Sequence, residues 1–213
     1  MSPAEEIVFL VDDDARVSEA LCELLEALGW RAEAFAAAAD YIAYAKPDLP
    51  ACLILDIELP DINGLDLQKQ LSHEVHPPIV FITGHGDIPS SVRAIQGGAV
   101  DFLTKPVRES DLEAAVRAAI DRDRIQRSAR AERADLDCRF ATLTPREREV
   151  LQLVVSGFLN KQSAAELGIS EVTLQIHRSK IMRKMQADSL PELVRIAEKL
   201  QIPITHSRRS GRP

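Results

Sequence analysis

The chain has few cysteines and no long apolar run. Its three cysteines, Cys22, Cys52 and Cys138, lie far apart and form no C-x-x-C pair. A zinc site or a redox dithiol would need such close spacing, so both are excluded and we expect buried, reduced thiols. No segment approaches the ~20 consecutive apolar residues that a membrane span requires. The sequence therefore predicts a protein without a transmembrane helix.

The sequence also lacks the pattern of a secretory signal. It begins MSPAEE, with acidic residues where a signal carries basic charge before an apolar core. We therefore expect a cytoplasmic protein. It shows no internal repeat, and the tail HSRRSGRP is expected to be disordered. An apolar content of 46% and a charged content of 28% favour ordinary folded domains.

Charge is divided unevenly along the 213 residues. Residues 1–125 carry 10 basic and 23 acidic side chains, a net charge of −13, whereas residues 126–213 carry 16 and 10, a net charge of +6. A chain of this length fits two domains. A small basic domain is typical of a protein that binds the phosphate backbone of a nucleic acid, although it also fits an acidic protein partner.

The first half alternates short apolar runs with helical patterns, which is typical of βαβ units and a parallel sheet. We predict an α/β domain with a doubly wound, flavodoxin-like sheet of five strands. The predicted strands are Ile7–Val11, Arg31–Phe35, Cys52–Leu55, Ile79–Thr83 and Val100–Leu103.

The second half predicts a small all-α helix-turn-helix domain. Thr144–Glu147 and Ser189–Glu192 are capping boxes, and Ser170 can cap a helix that ends near Met185. Before them, apolar residues become sparse and charge becomes dense, which predicts a solvated helical linker. The alternative is a short coiled-coil dimer seam formed by Ile125, Ala129 and Leu136. The predicted divisions are domain 1–121, linker 122–138, helix-turn-helix domain 139–205 and tail 206–213.

Polar residues follow four of the predicted strands, at the sheet edge where parallel α/β domains bind ligands. Asp12 and Asp13 follow the first strand, Asp56 ends the third, Thr83 ends the fourth and Lys105 follows the fifth. Three carboxylates at one edge repel one another unless a cation lies among them, and Mg²⁺ (or Mn²⁺) prefers oxygen ligands.

An aspartate can itself accept a phosphoryl group when a metal and a lysine neutralise the charge on the phosphoryl oxygens. We therefore expect Asp56 to be the acceptor, and Lys105 and Thr83 to contact the phosphoryl group. Any one of these residues is more often a cap or a surface charge. Their joint placement after strands favours the phosphoryl site.

The helix after Ser170 is predicted to have two different faces. Residues at helical spacing should face a small core, namely Leu174, His177, Ile181 and Met185. The opposite face suits a major groove and its phosphates, although such a face is often only solvated. It would present Gln175, Arg178, Ser179 and Met182, flanked by Lys180, Arg183 and Lys184.

Residues 7–124 resemble the receiver domain of response regulators. The resemblance rests on VDDD at 11–14, LDIELPDINGLDL at 55–67, TGHGD at 83–87 and DFLTKP at 101–106. It implies that Asp56 is phosphorylated and that the acidic pair Asp12 and Asp13 holds the metal. It further implies a metal contact from the Glu58 backbone carbonyl, a signalling pair of Thr83 and Lys105, a switch aromatic at Phe102, and a turn after Pro60 that Gly64 allows.

Residues 143–200 resemble the LuxR-type helix-turn-helix domain, through LTPREREVLQLVVSGFLNKQSAAELGIS and EVTLQIHRSKIMRKM. With the receiver, the chain resembles the FixJ subgroup. Leu174 and Ser163 stand where that family commonly has valine and isoleucine. The resemblance implies a recognition helix over 171–185, with Gln175, Ile176 and Ser179 at positions that meet bases. The basic residues predicted near phosphates are Lys161, Arg178, Lys180, Arg183 and Lys184.

These features predict a phosphorylation-switched transcription regulator and not an enzyme. A sensor histidine kinase would phosphorylate Asp56, a homodimer would form through residues 88–97 and the fifth strand, and the dimer would bind promoter DNA. RNA polymerase is a further expected partner, and a membrane is not. The alternatives are a haloacid-dehalogenase-type phosphatase, whose D-x-D motif Glu58 interrupts, a sigma-factor-like DNA module, and a regulator that binds DNA without phosphorylation.

Overall fold

The structure is a computed structural model that describes residues 6–84 and 88–203. The chain folds into two compact units, residues 1–127 and residues 128–213. The predicted tail at 206–213 and the last three residues of the TGHGD motif lie outside the described residues.

The first unit contains a five-stranded sheet in which every described pairing is parallel, in the order β2-β1-β3-β4-β5. The predicted α/β fold is therefore confirmed. The strands are β1 (Ile7–Val11), β2 (Arg31–Phe35), β3 (Ala51–Asp56), β4 (Ile79–Thr83) and β5 (Asp101–Thr104). The helices between and after them are α1 (Ala15–Ala27), α2 (Ala38–Ala43), α3 (Gly64–Leu71), α4 (Ile88–Gln96) and α5 (Glu109–Ala141).

Two strands differ from their predicted bounds. β3 is one residue longer at each end than predicted, and β5 begins and ends one residue later. The later end follows from pairing, because Thr104 lies opposite Thr83 in the ladder between β5 and β4. The three central strands are buried along their whole length, which explains their continuous apolar sequences. Apolar clusters pack on both faces of this sheet.

Helix α5 is continuous through the segment that was predicted to be a solvated linker. The segment is helical, but Asp123 and Leu136 within it are buried. Asp123 accepts a hydrogen bond from the backbone N–H of Ala51 at 2.9 Å, which ties this part of α5 to the start of β3. Leu136 packs in the apolar core of the second unit. The seam residue Ile125 of the coiled-coil alternative is exposed.

The second unit contains the end of α5 and four shorter helices: α6 (Pro145–Val155), α7 (Asn160–Leu167), α8 (Glu171–Met185) and α9 (Leu190–Lys199). Thr144 forms the predicted capping box with Glu147, and Ser170 caps α8. Gly168 ends α7 in the left-handed region, with φ of 64°, which favours glycine. Ser189 caps α9, but the second predicted box is incomplete because the Glu192 carboxylate accepts from the N–H of Asp188 instead of Ser189.

The expectation of buried thiols is correct for one cysteine. Cys52 is fully buried in β3, and burial raises the pKa of its thiol. Cys22 is half-buried and Cys138 is exposed on α5. The prediction was therefore wrong for Cys138, because the apolar pattern that buries side chains is sparse in that part of the helix.

Candidate functional site

Three carboxylates meet at the carboxyl end of the sheet. Asp56 is the last residue of β3, and Asp12 and Asp13 follow β1, the strand that pairs with β3. One oxygen atom of each carboxylate lies within 4.8 Å of the other two. Asp12 and Asp56 are buried, whereas Asp13 is exposed. The sheet topology thus assembles the predicted acidic cluster.

Lys105 inserts its ammonium between two of these carboxylates. Its Nζ atom lies 2.6 Å from Asp12 Oδ2 and 2.6 Å from Asp56 Oδ2. Burial would lower the pKa of Lys105, but the contacts with Asp12 and Asp56 outweigh burial and raise it, so the lysine is charged. Burial raises the pKa of Asp12, and the charge of Asp56 adds to this, against the opposing effect of Lys105.

The cluster has the chemistry of a magnesium site. One ammonium neutralises one of three negative charges, so an excess of negative charge is left at a partly buried edge. The available donors are hard carboxylate oxygens, which Mg²⁺ prefers. Asp12, Asp13 and Asp56 therefore fit this ion. Glu58 meets the cluster through its backbone N–H, which donates to Asp56 Oδ1 at 3.1 Å, and its carbonyl contact with a metal stays a prediction.

The remaining predicted receiver residues, Thr83 and Phe102, lie in the neighbouring strands β4 and β5. Thr83 is buried at the end of β4, and its carbonyl oxygen accepts from the backbone N–H of Lys105 at 2.8 Å. Phe102 is half-buried in β5, opposite Phe81, and packs against the apolar cluster on one face of the sheet. The structure thus brings Thr83 to the carboxyl end of the sheet and places Phe102 two residues before the end of the neighbouring strand.

A close approach between two backbone segments requires glycine at position 64, apart from the predicted turn. Gly64 begins α3, and its N–H donates to the carbonyl oxygen of Ile57 at 2.9 Å. A Cβ atom there would overlap the carbonyl oxygen of Asp56 and lie 3.0 Å from the Ile57 Cα. Glycine at this position therefore lets α3 approach the backbone that carries Asp56.

We expect Gly64→Ala to lower the free energy of unfolding of the first unit by roughly 1 to 3 kcal/mol, the usual cost of overpacking a rigid site. Chemical denaturation followed by the fluorescence of Trp30, the single tryptophan in the sequence, measures this change. Gly84→Ala is the matched control, because a Cβ at Gly84 meets no atom of the described residues within 4 Å. Equal stability of the two variants would contradict the close-approach argument.

Helix α8 of the second unit has the two faces that the sequence predicts, with exceptions. Leu174, Ile181 and Met185 are buried in the core, and His177 is half-buried at its edge. Met182 packs against the core, so its predicted place on the outer face was wrong. The exposed residues of the predicted DNA-contact set are Lys161 on α7 and Gln175, Ile176, Ser179, Lys180 and Arg183 on α8.

Two predicted phosphate contacts are engaged within the second unit. The guanidinium of Arg178 donates to the Asn160 side-chain oxygen. Lys184 Nζ lies 2.6 Å from the carboxylate of buried Glu147 and donates to the carbonyl oxygen of Thr142 at 2.9 Å. Burial alone would raise the pKa of Glu147, but Lys184 and Thr144 outweigh it and lower the pKa. Lys184 therefore ties together groups of the second unit, and its contact with a phosphate stays a prediction.

Sequence reasoning missed Val172, which is exposed beside Ile176 on the outer face of α8. The sequence did contain a signal for this pair, because residues four apart lie on the same face of a helix. Sequence reasoning also missed that Glu147, besides forming the capping box, pairs with Lys184. Its partner Lys184 is 37 residues away along the chain, so local spacing carries no sign of the pair.

Comparison with known proteins identifies both units. The model of the response regulator receiver domain matches residues 8–117, and that of the bacterial regulatory proteins of the luxR family matches residues 141–197. The chain belongs to the response regulators. Its receiver is followed by a LuxR-type DNA-binding domain, as the sequence motifs predicted.

Response regulators similar to this one over nearly their whole length are known. Nodulation protein W of Bradyrhizobium diazoefficiens is 47% identical over 96% of this chain and 90% of its own. The response regulator protein TodT of Pseudomonas putida is 44% identical over 94% of this chain and 89% of its own. Among solved structures, the response regulator StyR has a TM-score of 0.80 and 44% identity over 92% of this chain and all of its own.

This response regulator is thus a member of a family of transcription regulators that pair a receiver with a DNA-binding domain. Of the helices in the described part of the chain, none combines the length and apolar character needed to cross a membrane.

Proposed function

We propose that this response regulator accepts a phosphoryl group on Asp56 from a sensor histidine kinase and then binds promoter DNA as a homodimer. The observation that carries the proposal is the cluster of Asp12, Asp13 and Asp56, with the ammonium of Lys105 between Asp12 and Asp56. We assign residues 1–121 to the receiver, 122–138 to a helical linker and 139–205 to the DNA-binding domain.

The acidic cluster supplies what phosphoryl transfer to a carboxylate requires. Asp12, Asp13, Asp56 and the carbonyl of Glu58 would hold Mg²⁺ or Mn²⁺, which neutralises charge on the phosphoryl oxygens when bound. An Asp56 carboxylate oxygen forms the new bond to phosphorus while the bond from phosphorus to the histidine nitrogen of the kinase breaks. Lys105 already lies beside Asp56 and pairs with a phosphoryl oxygen afterwards.

Thr83 and Phe102 are the proposed link between the site and the surface of the receiver. Thr83 ends β4 at the site, and Phe102 lies in the neighbouring strand β5. A hydroxyl that moves to contact the phosphoryl group leaves its former position, and an adjacent aromatic ring can repack there. We infer that this rearrangement changes the face formed by α4 and β5.

An apolar stripe on α4 supports dimerisation through that face. Ile88, Val92 and Ile95 are 79%, 46% and 48% exposed, and their spacing of four and three residues places them on one side of the helix. Exposed apolar patches of this kind are typical of surfaces that bind a partner. A second phosphorylated copy of the chain is the partner that we propose.

We expect Val92→Glu to weaken the phosphorylated dimer by roughly tenfold or more, because an unpaired carboxylate buried in the interface costs more than the ~1.4 kcal/mol that tenfold represents. Sedimentation velocity with Mg²⁺ and acetyl phosphate measures the dissociation constant. Val75→Glu is the control, because Val75 is 71% exposed and lies outside α4. Dimers of wild-type strength in Val92→Glu would contradict the proposed interface.

The DNA-binding surface that we propose is the exposed side of α8 with Lys161 of α7. Gln175, Ile176 and Ser179 would meet base edges in the major groove, and Lys161, Lys180 and Arg183 would contact phosphates. Arg178 borders this surface with its guanidinium held by Asn160. RNA polymerase at the promoter is a further proposed partner.

The proposed switch is tested by measuring DNA binding with and without phosphorylation. Full-length protein is incubated with Mg²⁺, with or without acetyl phosphate, and its binding to a random duplex pool is measured by enrichment. We expect enrichment of specific sequences to depend on the phosphodonor. Equal enrichment in both conditions would favour DNA binding without phosphorylation and contradict the switch.

A further inference from the structure

The centre of the outer face of α8 is apolar. At about 100° per residue, Val172, Ile176 and Arg183 fall on one line along the helix, opposite the buried line of Leu174 and Ile181. Val172 is 68% exposed and Ile176 is 52% exposed. The outward side of a surface helix is normally polar, and β-branched residues are weaker helix formers than Lys or Glu. The fold therefore gains little from these two side chains.

The surroundings of the apolar pair indicate what kind of partner covers it. Lys180 and Arg183 are exposed beside it, whereas the cations of Arg178 and Lys184 are engaged by Asn160 and Glu147. An apolar centre with basic flanks fits a major groove, whose apolar group is the C5 methyl of thymine and whose borders are phosphates. The apolar pair and its polar neighbours line one concave patch on this face, formed by Val172, Gln175, Ile176, Ser179, Lys180 and Arg183.

We propose that Val172 and Ile176 determine operator specificity by contacting the C5 methyl groups of two thymines in each half-site. The inference rests on the proposed function, in which α8 enters the major groove. Val172 is the second residue of α8, and the first residues of a recognition helix reach the base edges. Gln175 lies next to this pair, and its amide suits adenine, because the amide oxygen can accept from the N6 amino group while the amide N–H donates to N7.

The spacing of the two side chains sets the spacing of the thymines. Four residues of helix advance by about 6 Å. Successive base pairs are about 3.4 Å apart along the duplex axis. The two thymines should therefore lie roughly one to two base-pair steps apart, on either strand of the half-site.

The test removes single methyl groups from the DNA. A duplex is selected from a random pool with full-length protein, Mg²⁺ and acetyl phosphate, and each thymine is then replaced by deoxyuridine, which lacks only the C5 methyl. We expect wild-type affinity to fall roughly fourfold at each of two thymines per half-site, the effect of one buried methyl group. Val172→Ala and Ile176→Ala should each weaken binding to the unmodified duplex and lose sensitivity to deoxyuridine at one of these thymines.

Val75→Ala is the control, because this exposed valine lies in the first unit and should keep the wild-type response at both thymines. The inference is overturned if deoxyuridine has no effect at any position, or if both alanine variants keep the full wild-type sensitivity. Unchanged DNA binding by the alanine variants would also overturn it, and would assign the apolar pair to a protein partner. Failure of the phosphorylated wild type to enrich any duplex would instead contradict the proposed function, and the inference with it.

Discussion

Asp56→Asn should accept no phosphoryl group when it is incubated with Mg²⁺ and acetyl phosphate, whereas the wild type should gain one. The asparagine amide has nearly the shape of the carboxylate, but it lacks the nucleophilic oxygen that forms the acyl phosphate. The substitution also removes one of the three carboxylates that would hold the metal. Intact-mass spectrometry measures phosphorylation, and sedimentation measures the dimerisation that should disappear with it.

Asp66→Asn is the matched control for this experiment. Asp66 is an exposed aspartate of α3 that pairs with Lys69 at 2.7 Å, outside the acidic cluster, so its variant should be phosphorylated like the wild type. If Asp56→Asn still gains a phosphoryl group, the acceptor is another residue, and peptide mapping would identify it. If the wild type gains none, the acidic cluster does not do the chemistry that we propose.

The fold and the acidic cluster were predictable because local sequence determines them. The continuous apolar runs in β1, β3 and β4 indicate strands that are covered on both faces. Once those strands are parallel, their carboxyl ends share an edge, so Asp12 and Asp56 must lie near each other. The boundaries of β5 were less predictable, since its end depends on pairing with β4.

The details that could not be predicted depend on contacts between distant segments. The need for glycine at Gly64 arises from the approach of α3 to the Asp56 carbonyl, which no local pattern records. Met182 packs against the core although we predicted it on the outer face, because helical spacing puts it on the flank between the two faces, where contacts decide its direction. Lys184 has the spacing of a phosphate contact, but a buried carboxylate on another helix engages it. Sequence alone therefore does not tell which charged residues of a binding helix contact a ligand and which stabilise the fold. The distinction requires knowing their partners in the structure.

Lys184→Met should lower the free energy of unfolding of the second unit by roughly 1 to 3 kcal/mol, less than the cost of breaking a fully buried ion pair because the lysine is partly exposed. The variant leaves the Glu147 carboxylate buried without its cation. The loss of stability should not be larger, because the backbone N–H of Thr144 still donates to the Glu147 carboxylate at 2.9 Å. Hydrogen exchange of amides in α6 and α8, measured in the full-length protein, reports this stability.

Lys180→Met is the control, because Lys180 is an exposed residue of the same helix. Its stability should change by less than about 0.5 kcal/mol, while its affinity for DNA falls because a phosphate contact is lost. The substitution at Lys184 should thus mainly lower stability, and the substitution at Lys180 should mainly lower the affinity for DNA. A Lys184→Met variant with wild-type stability and weakened DNA binding would instead support the original expectation that Lys184 contacts a phosphate.

The pH dependence provides a second test of the same pair. The folded unit lowers the pKa of Glu147 below its ordinary value of 4.5, so the stability due to this carboxylate is fully present above pH 4.5 and is lost as the pH falls through the lowered pKa. In Lys184→Met the cation that lowers this pKa is gone, and burial favours the neutral acid. The stability difference between wild type and variant should therefore narrow as the pH falls below 4.5. A difference that stays constant in that range would mean that the ion pair does not cause it.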